Sequence, residues 1–185
     1  GEPLIHPEFL GIYEDILARI SPDENGDLAP FSKVEVHTNG ILMSPAFSQR
    51  VLNDHPVPQR WHFTIDAAHQ ETYTDIKGAD QLQRVEANVR AFYEAKAKSG
   101  KQWPSTALQY IVSTDNAEET DTFIGRWRSA VEGAGLAVEL VAHHVPNVFD
   151  REFIFLKSLD CPTPKEQKRQ NAVYRRLIEG YGLGA

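Results

Sequence analysis

Residues 33–40 read KVEVHTNG. From Lys33 to His37 polar and apolar side chains alternate, the period of a strand with one buried face, and Thr38-Asn39-Gly40 stops it with turn formers. Ser44 then stands where a helix N-cap would, Pro45 takes the first helical position, and Phe47, Val51 and Leu52 continue an apolar face. This is a βα unit, and the same alternation extends through the chain. Trp61 to Ile65 reads as a second strand ending at Asp66. A short helical turn from Glu71 to Ile76 follows and ends at Gly78. A long helix from about Asp80 to Ser99 buries Leu82, Val85, Val89, Phe92 and Tyr93 and stops at Gly100. Thr106 to Val112 is a third strand. Asn116, with Glu119 three residues on in a capping-box position, starts a helix that turns Phe123, Ile124, Trp127 and Val131 inward and ends at Gly133 and Gly135. The nearly all-apolar Ala137 to Ala142 reads as a fourth strand covered on both faces.

Strands alternating with helices at this spacing predict an α/β fold with parallel strands and outer helices joined by right-handed crossovers. Four units make half a barrel, so the expected architecture is a partial (β/α) TIM-like barrel. Before residue 33, Phe9, Leu10, Tyr13, Ile16, Leu17 and Ile20 lie on one face of a predicted helix, and a polar loop runs through Ser21, Pro22, Asn25 and Gly26. After residue 145 the pattern changes. Val148 to Leu159 is extended, and Thr163, Pro164 and Glu166 open an amphipathic helix through Val173, Leu177 and Ile178. The division expected is residues 1–145 as the partial barrel and residues 146–185 as an extended segment and a C-terminal helix that closes the fragment or bridges to a further domain.

The chain has 185 residues, 41% hydrophobic and 24% charged, which suits one soluble domain with a sizeable core. Its net charge of −7 argues against a nucleic-acid partner, because phosphate binding rests on clustered Lys and Arg. No apolar run is long enough for a membrane span. The single cysteine, Cys161, can form neither an internal disulfide nor a thiolate metal site, which fits a cytoplasmic protein.

In parallel α/β folds ligands sit at the carboxyl ends of the strands. The segments GEPLIHPEFL, VEVHTNG and HFTIDAAHQETYTDIKG, in that order and spacing, resemble the radical S-adenosylmethionine enzymes, over most of residues 1–142. Several expectations follow from the resemblance. Gly1, Glu2 and Pro3 match the last three positions of a glycine-glycine-glutamate-proline element that binds the methionine amino group. Thr64-Ile65-Asp66 occupies the segment that contacts the methionine carboxylate or ribose, with Thr64 keeping the hydroxyl of the usual serine. Lys77 is the nearest match to a basic residue that pairs with the methionine carboxylate in the subgroup carrying a cysteine-rich C-terminal domain of SPASM type. The implied cofactors are S-adenosylmethionine and a [4Fe-4S] cluster whose ligands lie outside this chain, in a CxxxCxxC loop ahead of Gly1. The fragment alone is then expected to be inactive. The parent would cleave S-adenosylmethionine to a 5′-deoxyadenosyl radical and abstract hydrogen from a peptide, protein or small molecule. A homo-oligomer through the open sheet edge is also expected. The alternative is a degenerate barrel without catalysis that serves as a scaffold or partner-binding module.

Each of these residues also has a plainer reading. Gly1-Glu2-Pro3 and Asn39-Gly40 are turn formers. Thr64 suits a strand, Asp66 an N-cap, and Lys77 a helix C-terminus. His37, His62, His143 and His144 lie on or just after strands, where metal hydrolases collect ligands, but no second His-x-His pair supports that chemistry and no metal ligand is assigned. Cys161 before Pro162 has no base near it in sequence and reads as an incidental thiol.

Overall fold

The structure, a computed structural model, describes residues 1–20, 33–53 and 57–184; the polar loop expected at Ser21 to Gly26 lies outside the described residues. Five strands, β1 (Val34–Thr38), β2 (Gln59–Thr64), β3 (Ser105–Val112), β4 (Val138–Ala142) and β5 (Glu152–Ser158), form one sheet in the order β1-β2-β3-β5-β4. Every neighbouring pair is parallel. The helices are α1 (Phe9–Arg19), α2 (Pro45–Val51), α3 (Gln70–Lys77), α4 (Leu82–Ser99), α5 (Thr120–Gly133) and α6 (Pro164–Gly180), with 3₁₀ turns at Pro3–Ile5 and Ala117–Glu119.

A (β/α) barrel winds its strands in chain order. That order holds for β1, β2 and β3, and then β5 takes the place beside β3. The segment set apart by the sequence pattern therefore supplies an interior strand, whose Glu152 to Leu156 are all buried. It also corrects the expectation for 137–142: β4 is an edge strand pairing with β5, and only Val141 within it is buried. Its apolar composition matches a strand covered on both faces, but nothing local to it records which neighbour it will have.

The two faces of the sheet differ. Val36, Trp61, Phe63, Ile65, Leu108, Tyr110, Val112, Ile154 and Leu156 point one way and form the main core with residues from all six helices. Ala107, Val141, Phe153 and Phe155 point the other way and cluster only with one another and Val145. The described helices thus cover one face. Within that layer Lys96 of α4 is ion-paired with Glu152 of β5, and the second Glu152 oxygen accepts from Thr106 N and Thr106 Oγ1, both at 2.6 Å. The helix α1 buries Tyr13 and Leu17 in the core, with Phe9 and Leu10 partly buried against it and Phe9 and Tyr13 packed around Trp61. Ile16, expected inside, is 41% exposed, because a helix at the margin of the layer buries a narrow stripe and leaves its flank in solvent.

Most helix ends follow the sequence. Ser44 Oγ accepts from Phe47 N at 3.2 Å, Thr163 Oγ1 accepts from Glu166 N at 3.3 Å, and Gly78 and Gly100 close α3 and α4 in left-handed geometry. Gly40 is required for two reasons: its φ is +77°, and a Cβ there would meet Val89 Cγ2 at 3.2 Å. The capping box expected at Asn116 and Glu119 does not form. Asn116 makes no cap bond, and both side chains instead tie loops together across the carboxyl end of the sheet.

Candidate functional site

The carboxyl ends of β1, β2 and β3 share one rim of the molecule, and three of the segments singled out above meet there. Glu2 anchors the meeting. Its Oε1 accepts from Thr38 Oγ1 at 2.8 Å and from Leu4 N at 3.2 Å, while its Oε2 accepts from Asn39 N at 2.7 Å. The turn after β1 is fixed in the same place. Asn39 Oδ1 takes Ile41 N at 3.0 Å, and Asn88 Nδ2 of α4 donates to Gly40 O and Ile41 O, each at 3.0 Å. Thr64, half-buried at the end of β2, donates its hydroxyl to Thr38 O at 3.3 Å and so sits beside the Glu2 anchor. Gly1 is exposed next to it, and Pro3 opens the 3₁₀ turn.

Asp66 and Lys77 are placed differently. Asp66 is 3% exposed and holds a left-handed φ of +59°, strained for a non-glycine residue. Its Oδ1 accepts from Ile111 N at 2.7 Å, and its Oδ2 meets Lys77 Nζ at 2.5 Å. Its carbonyl accepts from Asn116 Nδ2 at 2.8 Å, and Asn116 also spans Ser113 N and Ile111 O. Asp66 caps no helix, since α3 starts after His69. Both oxygens of its carboxylate are engaged within the protein, one of them by the Lys77 ammonium, and Glu2 and Thr64 are tied to the turn after β1.

One further group on this rim has no counterpart in the sequence reading. Tyr73 of α3 is fully buried, and its hydroxyl has no hydrogen-bond partner among the described residues. Its pKa is raised by burial and then by the negative charges of Asp66 and Glu2. Its sequence signal is only an apolar-face aromatic, indistinguishable from core. A groove of about 610 Å³ lies elsewhere, between the Ala117–Glu119 turn and α6, and none of the six expected residues lines it.

The opposite face of the sheet carries a second constellation. Glu35 and His37 of β1 and His62 of β2 each bring one ligand atom within 4.8 Å of the others. The register puts His37 directly across from His62, and their rings stack at 4.1 Å with 8° between planes. Glu35 Oε2 is 3.9 Å from His62 Nε2. His62 is 4% exposed, and neither ring nitrogen has a hydrogen-bond partner among the described residues. Burial first, then the charges of His37, Arg60 and Lys33, push its pKa down to about 3, so the ring is neutral. The His37 pKa is lowered by burial, against an opposing pull from Glu35. The histidines were legible one at a time, but Glu35 was not, because pairing register decides who faces whom. His143 and His144, also noted in the sequence, are not part of this group; the His143 backbone N–H donates to Tyr174 Oη at 3.0 Å.

No family model matches the chain, and no curated protein or solved structure matches it. No described helix is long and apolar enough to cross a membrane.

Proposed function

We propose that this chain supplies the S-adenosylmethionine-holding part of a radical S-adenosylmethionine enzyme, built as part of a (β/α) barrel. The observation that carries the reading is the Glu2 carboxylate, which joins the GEP segment to Thr38 and Asn39 at the carboxyl rim, with Thr64 alongside. The one-sided covering of the sheet is a feature shared with a barrel, since doubly wound folds carry helices on both faces, while the β3-β5-β4 order departs from a barrel's chain order.

The residues fit the two ends of such a ligand unequally. With both Glu2 oxygens engaged, Glu2 positions the segment, and the exposed Gly1 backbone is left to receive an ammonium. Thr64 has placed its proton on Thr38 O, so its oxygen is an acceptor, better suited to a ribose hydroxyl than to a carboxylate. Lys77 reaches a ligand carboxylate only by leaving Asp66. With a reduced [4Fe-4S] cluster held by residues outside this chain, S-adenosylmethionine would take one electron into its sulfonium and release methionine and a 5′-deoxyadenosyl radical able to remove hydrogen from a peptide, protein or small molecule. A single thiol, Cys161, does not fit a [4Fe-4S] cluster.

Calorimetric titration of the chain with S-adenosylmethionine tests the reading. Saturable binding that weakens about tenfold or more in Thr64→Val and Glu2→Gln supports it, a factor equivalent to ~1.4 kcal/mol. Binding that is absent, or indifferent to both substitutions, overturns it. The internal Lys77–Asp66 pair favours a second reading, a non-catalytic scaffold of the same architecture, and absence of 5′-deoxyadenosine formation by a longer polypeptide containing this chain and a reconstituted cluster would select it.

A further inference from the structure

We infer that Glu35, His37 and His62 form a binding site for a late first-row divalent metal ion of the zinc type, on the face of the sheet that the described helices leave uncovered. The inference does not depend on the function proposed above, which concerns the carboxyl rim.

The backbone dictates the grouping. Glu35 and His37 are two residues apart on β1, so their side chains leave the same face, and the parallel register sets His62 straight across from His37. Two imidazoles and one carboxylate on neighbouring strands are the donor set of open zinc and non-haem iron sites, with one or more positions left for water. The separations are short of a formed site. Metal bonds of about 2.0–2.2 Å place tetrahedral donors roughly 3.3 Å apart, against the 3.9 Å between Glu35 Oε2 and His62 Nε2. The stacked rings also point their lone pairs in parallel. Both discrepancies close by turning Glu35 and His37, which are exposed, onto a fixed His62, which is buried.

His62 is the independent pointer to a ligand. A buried polar group without a partner costs about 1–3 kcal/mol, and structures seldom leave one so. An ion on one ring nitrogen would meet that deficit. The surroundings also orient the carboxylate. Lys33 Nζ lies 3.4 Å and Arg60 Nη1 3.8 Å from Glu35 Oε1, which leaves Oε2 turned toward His62. Arg60 itself is held between Phe149 and Phe153 and cannot easily withdraw. These cations repel a metal ion, so the site binds more weakly than a closed four-ligand site, and a water bound there would be the more acidic for it.

The test uses the whole chain, stripped with a chelator and titrated with Co²⁺ and then Zn²⁺. One equivalent of Co²⁺ with a visible ligand-field spectrum, displaced by Zn²⁺, is the expected result. His37→Ala and Glu35→Gln should each weaken binding about tenfold or more, with circular dichroism and the thermal midpoint unchanged because both residues are exposed. His143→Ala and His144→Ala should leave binding as it is. Failure to bind a stoichiometric ion, or binding that survives both His37→Ala and Glu35→Gln, overturns the inference.

Discussion

Lys96 and Glu152 are each 3% exposed at the side chain and meet inside the helical layer, where an unpaired charge is costly. Lys96→Met should therefore destabilise the chain by about 3–5 kcal/mol, read as a lower urea midpoint at unchanged m-value. The loss exceeds the worth of the pair, because it leaves the carboxylate facing only Thr106. His62 makes the opposite kind of prediction. With its pKa near 3 in the folded chain and about 6.5 unfolded, the unfolded state binds the extra proton between those values. Stability therefore falls as pH drops from about 6.5 toward 3, by on the order of a few kcal/mol in total. In chelator-treated protein, His62→Leu should flatten that part of the stability–pH curve. It should cost little at neutral pH, since neither ring nitrogen has a hydrogen bond to lose. An equally steep acid loss in the variant would place the titrating group elsewhere.

Among the elements, the loop after β3 separates two explanations of one residue. As a helix cap, Asn116 would be worth about 1 kcal/mol. As found, its amide holds Asp66 O, Ile111 O and Ser113 N, so Asn116→Ala strands three backbone groups and should cost about 3 kcal/mol or more. Thr163→Ala, at a cap that does form, should cost about 1 kcal/mol in the same denaturation experiment. The contrast marks what a sequence can disclose. Ser44, Thr163, Gly78 and Gly100 act on residues within four positions of themselves, and each was readable. Asn116 donates to Asp66 O and Glu119 accepts from donors at 68, 69 and 72, all about fifty residues away, and a capping-box spelling carries no trace of that. Ile16 failed for a related reason: periodicity shows that a face is apolar but not how much of it a neighbour covers. At the rim, the grouping of Glu2 with Thr64 was legible through ordered segments, whereas the inward engagement of Asp66 and Lys77 was not.

At the scale of the molecule, residues 146–185 belong to the structural unit formed by the rest. A chain ending at residue 145 lacks β5 and α6, which removes Phe153 and Phe155 from one face and Ile154, Leu156, Tyr174 and Ile178 from the other. It should show no cooperative thermal transition, followed by circular dichroism; a sharp transition near that of the whole chain would make the C-terminal segment an appendage after all. The alternation of strands and helices was plain in the sequence, but the strand order was not, since both 138–142 and 152–158 are short apolar runs that suit a place beside β3. The two strands differ where it counts. Beside β3, Glu152 supplies the carboxylate that Lys96 and the Thr106 amide take up, and β4 carries Val138 at the position registered against it. The buried ion pair thus gives the place beside β3 a chemical requirement that β5 meets with Glu152, and so labels an interior position that hydrophobicity alone leaves unspecified.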